Sequence, residues 1–145
     1  MSLAMTTAER EAFLAGVHVG VLAVADGGRA PLAVPVWYSY EPGGLVSIIT
    51  GRSSRKALRI EAEQRISLCA QTETAPYQYV SVEGPVVRVD ATVEPAERQA
   101  VAYRYLGQEF GDLYLAATEA DAAENVVVRM RPERWLTVDY HKQFG

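Results

Sequence analysis

Through residue 90 the apolar residues fall into short β-rich runs broken by turn signals, and the pattern becomes helical only later. Residues 19–25 read as a strand that stops at Asp26-Gly27-Gly28-Arg29, a hairpin turn. Residues 30–40 return as a second strand, which Pro31 and Pro35 assign to an edge or bulged position. Glu41-Pro42-Gly43-Gly44 makes another turn, and residues 45–50 a third strand. Residues 65–71 and 77–90 supply two more, the second bulged or bent at Gly84-Pro85. Residues 125–131 and 135–140 close the chain as strands around Arg131-Pro132.

Helical signals sit between these runs. Thr6-x-x-Glu9 has capping-box spacing, and Phe13, Leu14 and Val17 share a face of a short opening helix. Ser53 or Ser54 caps a second helix that runs to about Glu63, with Leu58 and Ala62 in register. From 94 to about 124 the period is helical again, Ala102, Tyr105 and Leu106 falling on one face. Gly107 and Gly111 interrupt that stretch, which argues for two helices. Six or seven antiparallel strands with short helices predict a mainly β, barrel-like fold in a single domain over residues 1–145. The opening Met1-Ser2-Leu3-Ala4-Met5 reads as an expression remnant ahead of a native start at Met5.

Composition narrows the possibilities. An apolar share of 49% and a charged share of 22% are ordinary for a globular domain. The net charge of −4, with no long basic stripe, argues against a nucleic-acid partner. No apolar run reaches the ~18 residues of a membrane span, and no signal peptide is visible, so a cytoplasmic protein is expected. Cys69 is the one cysteine, expected as a buried, inert thiol. His18 and His141 lie far apart and have no metal-ligand spacing, so no metal site is expected.

One segment breaks the charge pattern. Between Glu41 and Glu61 there is no acidic residue, yet four of the fourteen basic residues lie there. Thr50-Gly51-Arg52-Ser53-Ser54-Arg55-Lys56 places two cations in the first turn of a helix, where the macrodipole favours Asp or Glu. A bound anion removes the conflict: Arg55 can take two phosphate oxygens, Lys56 acts as a point charge, and Gly51 allows close backbone approach. The competing reading is a solvated basic turn. The order of residues is not that of a P-loop.

Adjacent aromatics on a strand point to opposite faces, so at most one enters the core on a given side and Trp37 or Tyr38 can flank a planar ring; ordinary core packing is the default reading for such a pair. Tyr77-Gln78-Tyr79 carries the same ambiguity.

These residues together resemble the pyridoxamine 5′-phosphate oxidase-like family of FMN-binding split β-barrels. The likeness rests on Val34-Pro35-Val36-Trp37-Tyr38, on Gly44 through Thr50, on Ser54-Arg55-Lys56-Ala57, on Arg65-Ile66-Ser67-Leu68, and on the strand ending Val80-Ser81-Val82-Glu83-Gly84. The resemblance implies that Thr50, Ser54, Arg55 and Lys56 hold a flavin phosphate. It implies that Val36, Trp37 and Tyr38 run along the ring, and that Gln78 or Tyr79 reaches the cofactor. It further implies a homodimer with cofactor sites at the interface, completed by Trp135, Tyr140, His141 and Lys142 of the second subunit. The tryptophan–arginine ending of true pyridoxamine phosphate oxidases is missing, with Val138 near the tryptophan position. The ending Asp139-Tyr140-His141-Lys142 is similar instead to the flavin/deazaflavin oxidoreductase branch, where F420 often replaces FMN. Arg52 and Arg59 then become candidates for meeting the acidic tail of F420. The expected function is hydride transfer between FMN or F420 and a small substrate, with a non-catalytic flavin-binding or sensing module as the alternative.

Overall fold

A computed structural model describes residues 2–145; Met1, the first residue of the opening segment, lies outside them. The strands are β1 (Gly20–Asp26), β2 (Arg29–Val36), β3 (Val46–Gly51), β4 (Arg65–Gln71), β5 (Gln78–Asp90), β6 (Asn125–Met130) and β7 (Arg134–Asp139). The helices are α1 (Thr7–Ala15), α2 (Arg55–Glu63) and α3 (Pro95–Ala117), with 3-10 turns at Glu119–Glu124 and Tyr140–Gln143. Every strand pairing is antiparallel, in the order β2-β1-β4-β5-β6-β3, and β7 pairs with β5. The result is a curled half-barrel sheet with a few helices, as the strand pattern predicts.

Long β5 makes the curl. Its first half lies between β4 and β7, and its second half leaves them to pair with β6. The change of partner follows Gly84-Pro85 and the register slips between Val86 and Arg88, while a Cβ on Gly84 would sit 1.7 Å from the Arg131 carbonyl oxygen. Alternation in the strands turns Leu22, Val24, Ile66, Leu68, Ala70, Val80 and Val82 inward, against Leu14, Tyr38, Val46, Ile48 and Met130. The opening segment belongs to this body, since Met5 is buried and the Leu3 carbonyl accepts from Asp139 N–H at 2.8 Å.

Several expectations need correction. β2 stops at Val36, short of Tyr40, because its partner β1 begins at Gly20, opposite Val36. Beyond that point the chain crosses toward β3, which it touches through a single bridge between Ser39 and Ser47. In α2 the buried residue is Ile60, while Leu58 is 53% exposed and Ala62 is exposed too. α3 breaks at Gly107, whose φ of 77° and ψ of 173° are non-helical, but Gly111 stays helical and is buried beside Tyr103. Cys69 is half-buried on the outer face of the sheet, because the alternation of β4 gives the inner places to Leu68 and Ala70. No helix among the described residues is long and apolar enough to cross a membrane.

Candidate functional site

The basic turn folds as its sequence suggests. β3 ends at Gly51, and Ser54 becomes the N-cap of α2, its hydroxyl accepting from Ala57 N–H at 3.2 Å. The hydroxyls of Thr50 and Ser54 lie 3.1 Å apart and share a hydrogen bond. Thr50 is itself buried. No acidic residue stands in the first turn of α2, so the conflict with the macrodipole is real.

The fold answers part of that conflict with its own carboxylate. Asp26, in the β1–β2 hairpin, receives the Arg55 guanidinium and also lies 3.1 Å from Arg59. The hydrogen bond from Arg55 holds the Asp26 carboxyl below the ordinary carboxylate range. Arg59 is further tied to Glu63 at 2.7 Å and to the Ala25 carbonyl at 3.2 Å. Arg52 reaches the Ala123 and Ala91 carbonyls and lies 3.7 Å from Glu124. All three arginines are therefore engaged within the chain. Lys56 has no such partner among the described residues, and it lines a cavity.

That cavity, about 310 Å³, lies between the end of β3, the start of α2 and the inner face of α3. Thr50, Gly51 and Lys56 line it, and so do Asp121 and Asn125. Trp37, Ile49, Val101, Ala102, Tyr114 and Leu115 give it an apolar side. Arg98, 15% exposed, clasps the far end by donating to Thr118 Oγ1 at 2.6 Å and the Leu115 carbonyl at 3.1 Å.

The aromatic pair separates as strand geometry requires. Trp37 stacks on Tyr105 of α3, centroids 5.0 Å apart and planes 5° from parallel, and touches Tyr114 at 5.1 Å. Tyr38 is fully buried in the core, its hydroxyl donating to the Leu14 carbonyl at 2.7 Å, and burial pushes its phenol far above the ordinary value. Tyr105 also occupies the backbone at this point. Its hydroxyl accepts from Tyr38 N–H at 3.0 Å and lies 3.0 Å from the Tyr38 carbonyl and 2.7 Å from that of His18. The Tyr38 N–H and carbonyl are thus engaged within the chain.

Of the residues singled out from sequence, the structure brings Trp37, Thr50 and Lys56 to one cavity, with Ser54 bonded to Thr50. It does not bring Val36, Tyr38, Arg55, Gln78 or Tyr79 into the lining, Arg55 being turned to Asp26. Val36 is buried at the end of β2, and Gln78 and Tyr79 lie on β5 opposite Asp139 and Val138 of β7. Trp135 packs against its own core, with the Arg10 guanidinium 4.5 Å from its ring centre. Lys142 is paired with Glu9 at 2.7 Å, and His141 with Asp139 at 2.8 Å. Tyr140, at the start of the closing 3-10 turn, is 37% exposed. Sequence reasoning missed Arg98, Tyr114, Asp121 and Asn125. The helical excursion was legible, but nothing in its spacing says which face covers the β3–α2 turn.

Residues 6–139 match the family model of pyridoxamine 5′-phosphate oxidase, and the chain belongs to that family. Among solved structures, the conserved hypothetical protein Rv2991 from Mycobacterium tuberculosis is similar, with 23% identity over 99% of this chain and 91% of its own and a TM-score of 0.77. An F420 reductase is 19% identical over 87% of this chain and 94% of its own, with a TM-score of 0.64. An FAD-binding protein from Mesorhizobium loti is 20% identical over 92% of each chain, with a TM-score of 0.57. At such identities the likeness is one of fold. No curated protein matches the sequence.

Proposed function

We propose that this protein is a cytoplasmic oxidoreductase that binds FMN or F420 and passes a hydride between that ring and a small substrate. The observation that carries the reading is Lys56: an unpaired ammonium lining a cavity whose other walls offer a hydroxyl, a glycine backbone and an aromatic side. The arrangement suits a phosphate joined to a larger group, because a point charge and hydroxyls meet the anion while Trp37 and Tyr114 give the rest of the ligand an apolar side. At about 310 Å³ the cavity stands at the lower end of small-ligand sites, which span roughly 300–1,000 Å³. It therefore holds the phosphate end and part of the chain, leaving the ring toward the open side.

When bound, the flavin or deazaflavin supplies the hydride chemistry. The chain's own residues would hold and orient it. Lys56 and Thr50 bind phosphate, Ser54 orients the Thr50 hydroxyl, and Arg55 joins them by exchanging Asp26 for a phosphate oxygen. The neighbours described as an F420 reductase and an FAD-binding protein support a ring cofactor of this kind without choosing between FMN and F420.

The working unit is a homodimer. Pairing registers set Pro35, Val21, Cys69, Ser81 and Leu136 in one row across the outer face of the sheet. Val21 is 43% exposed and Leu136 63%, and the row carries no charge. An uncharged strip of this kind supports burial against a second copy.

The test of catalysis is single-turnover reoxidation. Protein loaded with reduced FMN, and separately with reduced F420, is mixed with conjugated ketones and quinones. Faster reoxidation than for the free cofactor with at least one acceptor supports the reading. Tight binding with no acceleration for any acceptor leaves a binding module and contradicts the oxidoreductase.

A further inference from the structure

The polar groups that line the cavity differ in charge. Lys56 and Thr50 line it from the β3–α2 turn; Asp121, of the 3-10 turn, and Asn125, the first residue of β6, line it as well. Arg98 is a second cation in the lining, already engaged with Glu119, Thr118 and the Leu115 carbonyl. The two segments that carry Lys56 and Asp121 are joined through the backbone. Asn125 is the cross-strand partner of Gly51, and Arg52 N–H donates to the Glu124 carbonyl at 2.8 Å. Asp121 is exposed to solvent while lining the cavity, and neither its carboxylate nor the Asn125 amide has a side-chain partner among the described residues.

An ionised carboxylate only accepts hydrogen bonds, and beside a phosphate it repels. A ligand that satisfies both Lys56 and Asp121 presents an anion to the first and hydroxyl donors to the second. Asn125, which both donates and accepts, can serve the same hydroxyls. We infer that Asp121, with Asn125 beside it, binds the hydroxylated chain joining ring to phosphate, so that the site selects a polyol phosphate over a bare one. This rests on reading the cavity as a flavin or deazaflavin site, and FMN and F420 share the chemistry it names.

Titrations of the wild type, Asp121→Ala and Asp121→Asn with FMN, riboflavin and lumiflavin test the inference. Riboflavin keeps the hydroxylated chain without phosphate, and lumiflavin keeps only the ring. If the protein takes F420 in place of FMN, F420 and its deazaflavin nucleoside without phosphate replace the first two ligands. Asp121→Ala is expected to weaken the phosphorylated and unphosphorylated cofactors alike, by about fivefold or more. It should leave lumiflavin unchanged, and Asp121→Asn, which keeps an acceptor oxygen, should recover part of the loss. Tighter FMN binding by Asp121→Ala, with riboflavin unaltered, would show that the carboxylate merely repels phosphate and would overturn the inference. An equal effect on all three ligands, or no effect on any, also overturns it. Failure of the wild type to bind any of these cofactors is a separate result, and it defeats the underlying reading of the site.

Discussion

Asp26 changes the meaning of the basic turn. The cations at 52–59 are conspicuous in the sequence because no acidic residue lies between Glu41 and Glu61. In space Asp26, which sits 29 residues before Arg55, reaches both Arg55 and Arg59. A contact of that separation depends on where the β1–β2 hairpin lands, and no local pattern records it. Lys56, Thr50 and Ser54 were legible because a strand end, a glycine and a helix cap occupy adjacent positions. Asp26 and an incoming phosphate therefore compete for Arg55. Asp26→Ala should raise FMN or F420 affinity by about two- to fivefold, the scale of an exposed ion pair. Isothermal titration reads this, and weaker binding would place Arg55 outside the phosphate site. His18 offers a second test at this scale. Its ring stacks on Phe13 at 4.4 Å, and Nε2–H donates to the Phe13 carbonyl at 3.0 Å. Burial lowers its pKa below the ordinary 6.5. A lowered histidine pKa favours the neutral ring in the folded state, so its stability is present above 6.5 and is lost as pH falls toward the lowered value. Thermal melts should show the wild type losing Tm relative to His18→Gln as pH drops from about 6.5 to 5. Parallel curves would contradict the assignment.

Among the elements, α3 decides whether there is a cavity at all. The strands were legible because their period and turns are local, and the irregularity near Gly84-Pro85 could be placed for the same reason. The placement of α3 was not, since its attachment runs through single side chains. Tyr105 ties it to Tyr38, between β2 and β3, through two close hydroxyl contacts and to His18, ahead of β1, through a third, Trp37 stacks on the same ring, and Arg104 donates to the Ala15 and Gly16 carbonyls behind α1. Beyond the break at Gly107, Arg98 holds the second half of α3 in place through Leu115 and Thr118. This contact separates the two adjacent aromatics: Trp37 faces α3 and Tyr38 the core. Tyr105→Phe leaves the Tyr38 N–H and the His18 carbonyl without that partner. It should cost about 1–3 kcal/mol in urea unfolding and alter the Trp37 fluorescence of the folded protein. An unchanged unfolding midpoint and unchanged emission would mean that α3 is held elsewhere.

At the scale of the whole molecule, a half-barrel leaves one sheet face uncovered, and this face carries Val21, Cys69, Ser81 and Leu136 in register. The alternation in β1, β4, β5 and β7 was visible in the sequence, but the alignment of four strands into one uncharged row was not, because register depends on the turns. Leu136→Glu places a charge in that row and should convert a dimer to a monomer in sedimentation velocity, with cofactor affinity falling in parallel. A wild type that sediments as a monomer at tens of micromolar would contradict the dimer. The central claim is that the cavity around Lys56 holds the phosphate of a flavin or deazaflavin, and cofactor titration of the apo-protein tests it most directly. Ring fluorescence is followed for the wild type and for Lys56→Ala, with FMN and with F420. The account predicts saturable binding of at least one cofactor to the wild type, weakened about 10–100-fold in Lys56→Ala, with the variant's Tm unchanged. No binding of either cofactor, or equal affinity in the wild type and Lys56→Ala, would contradict it.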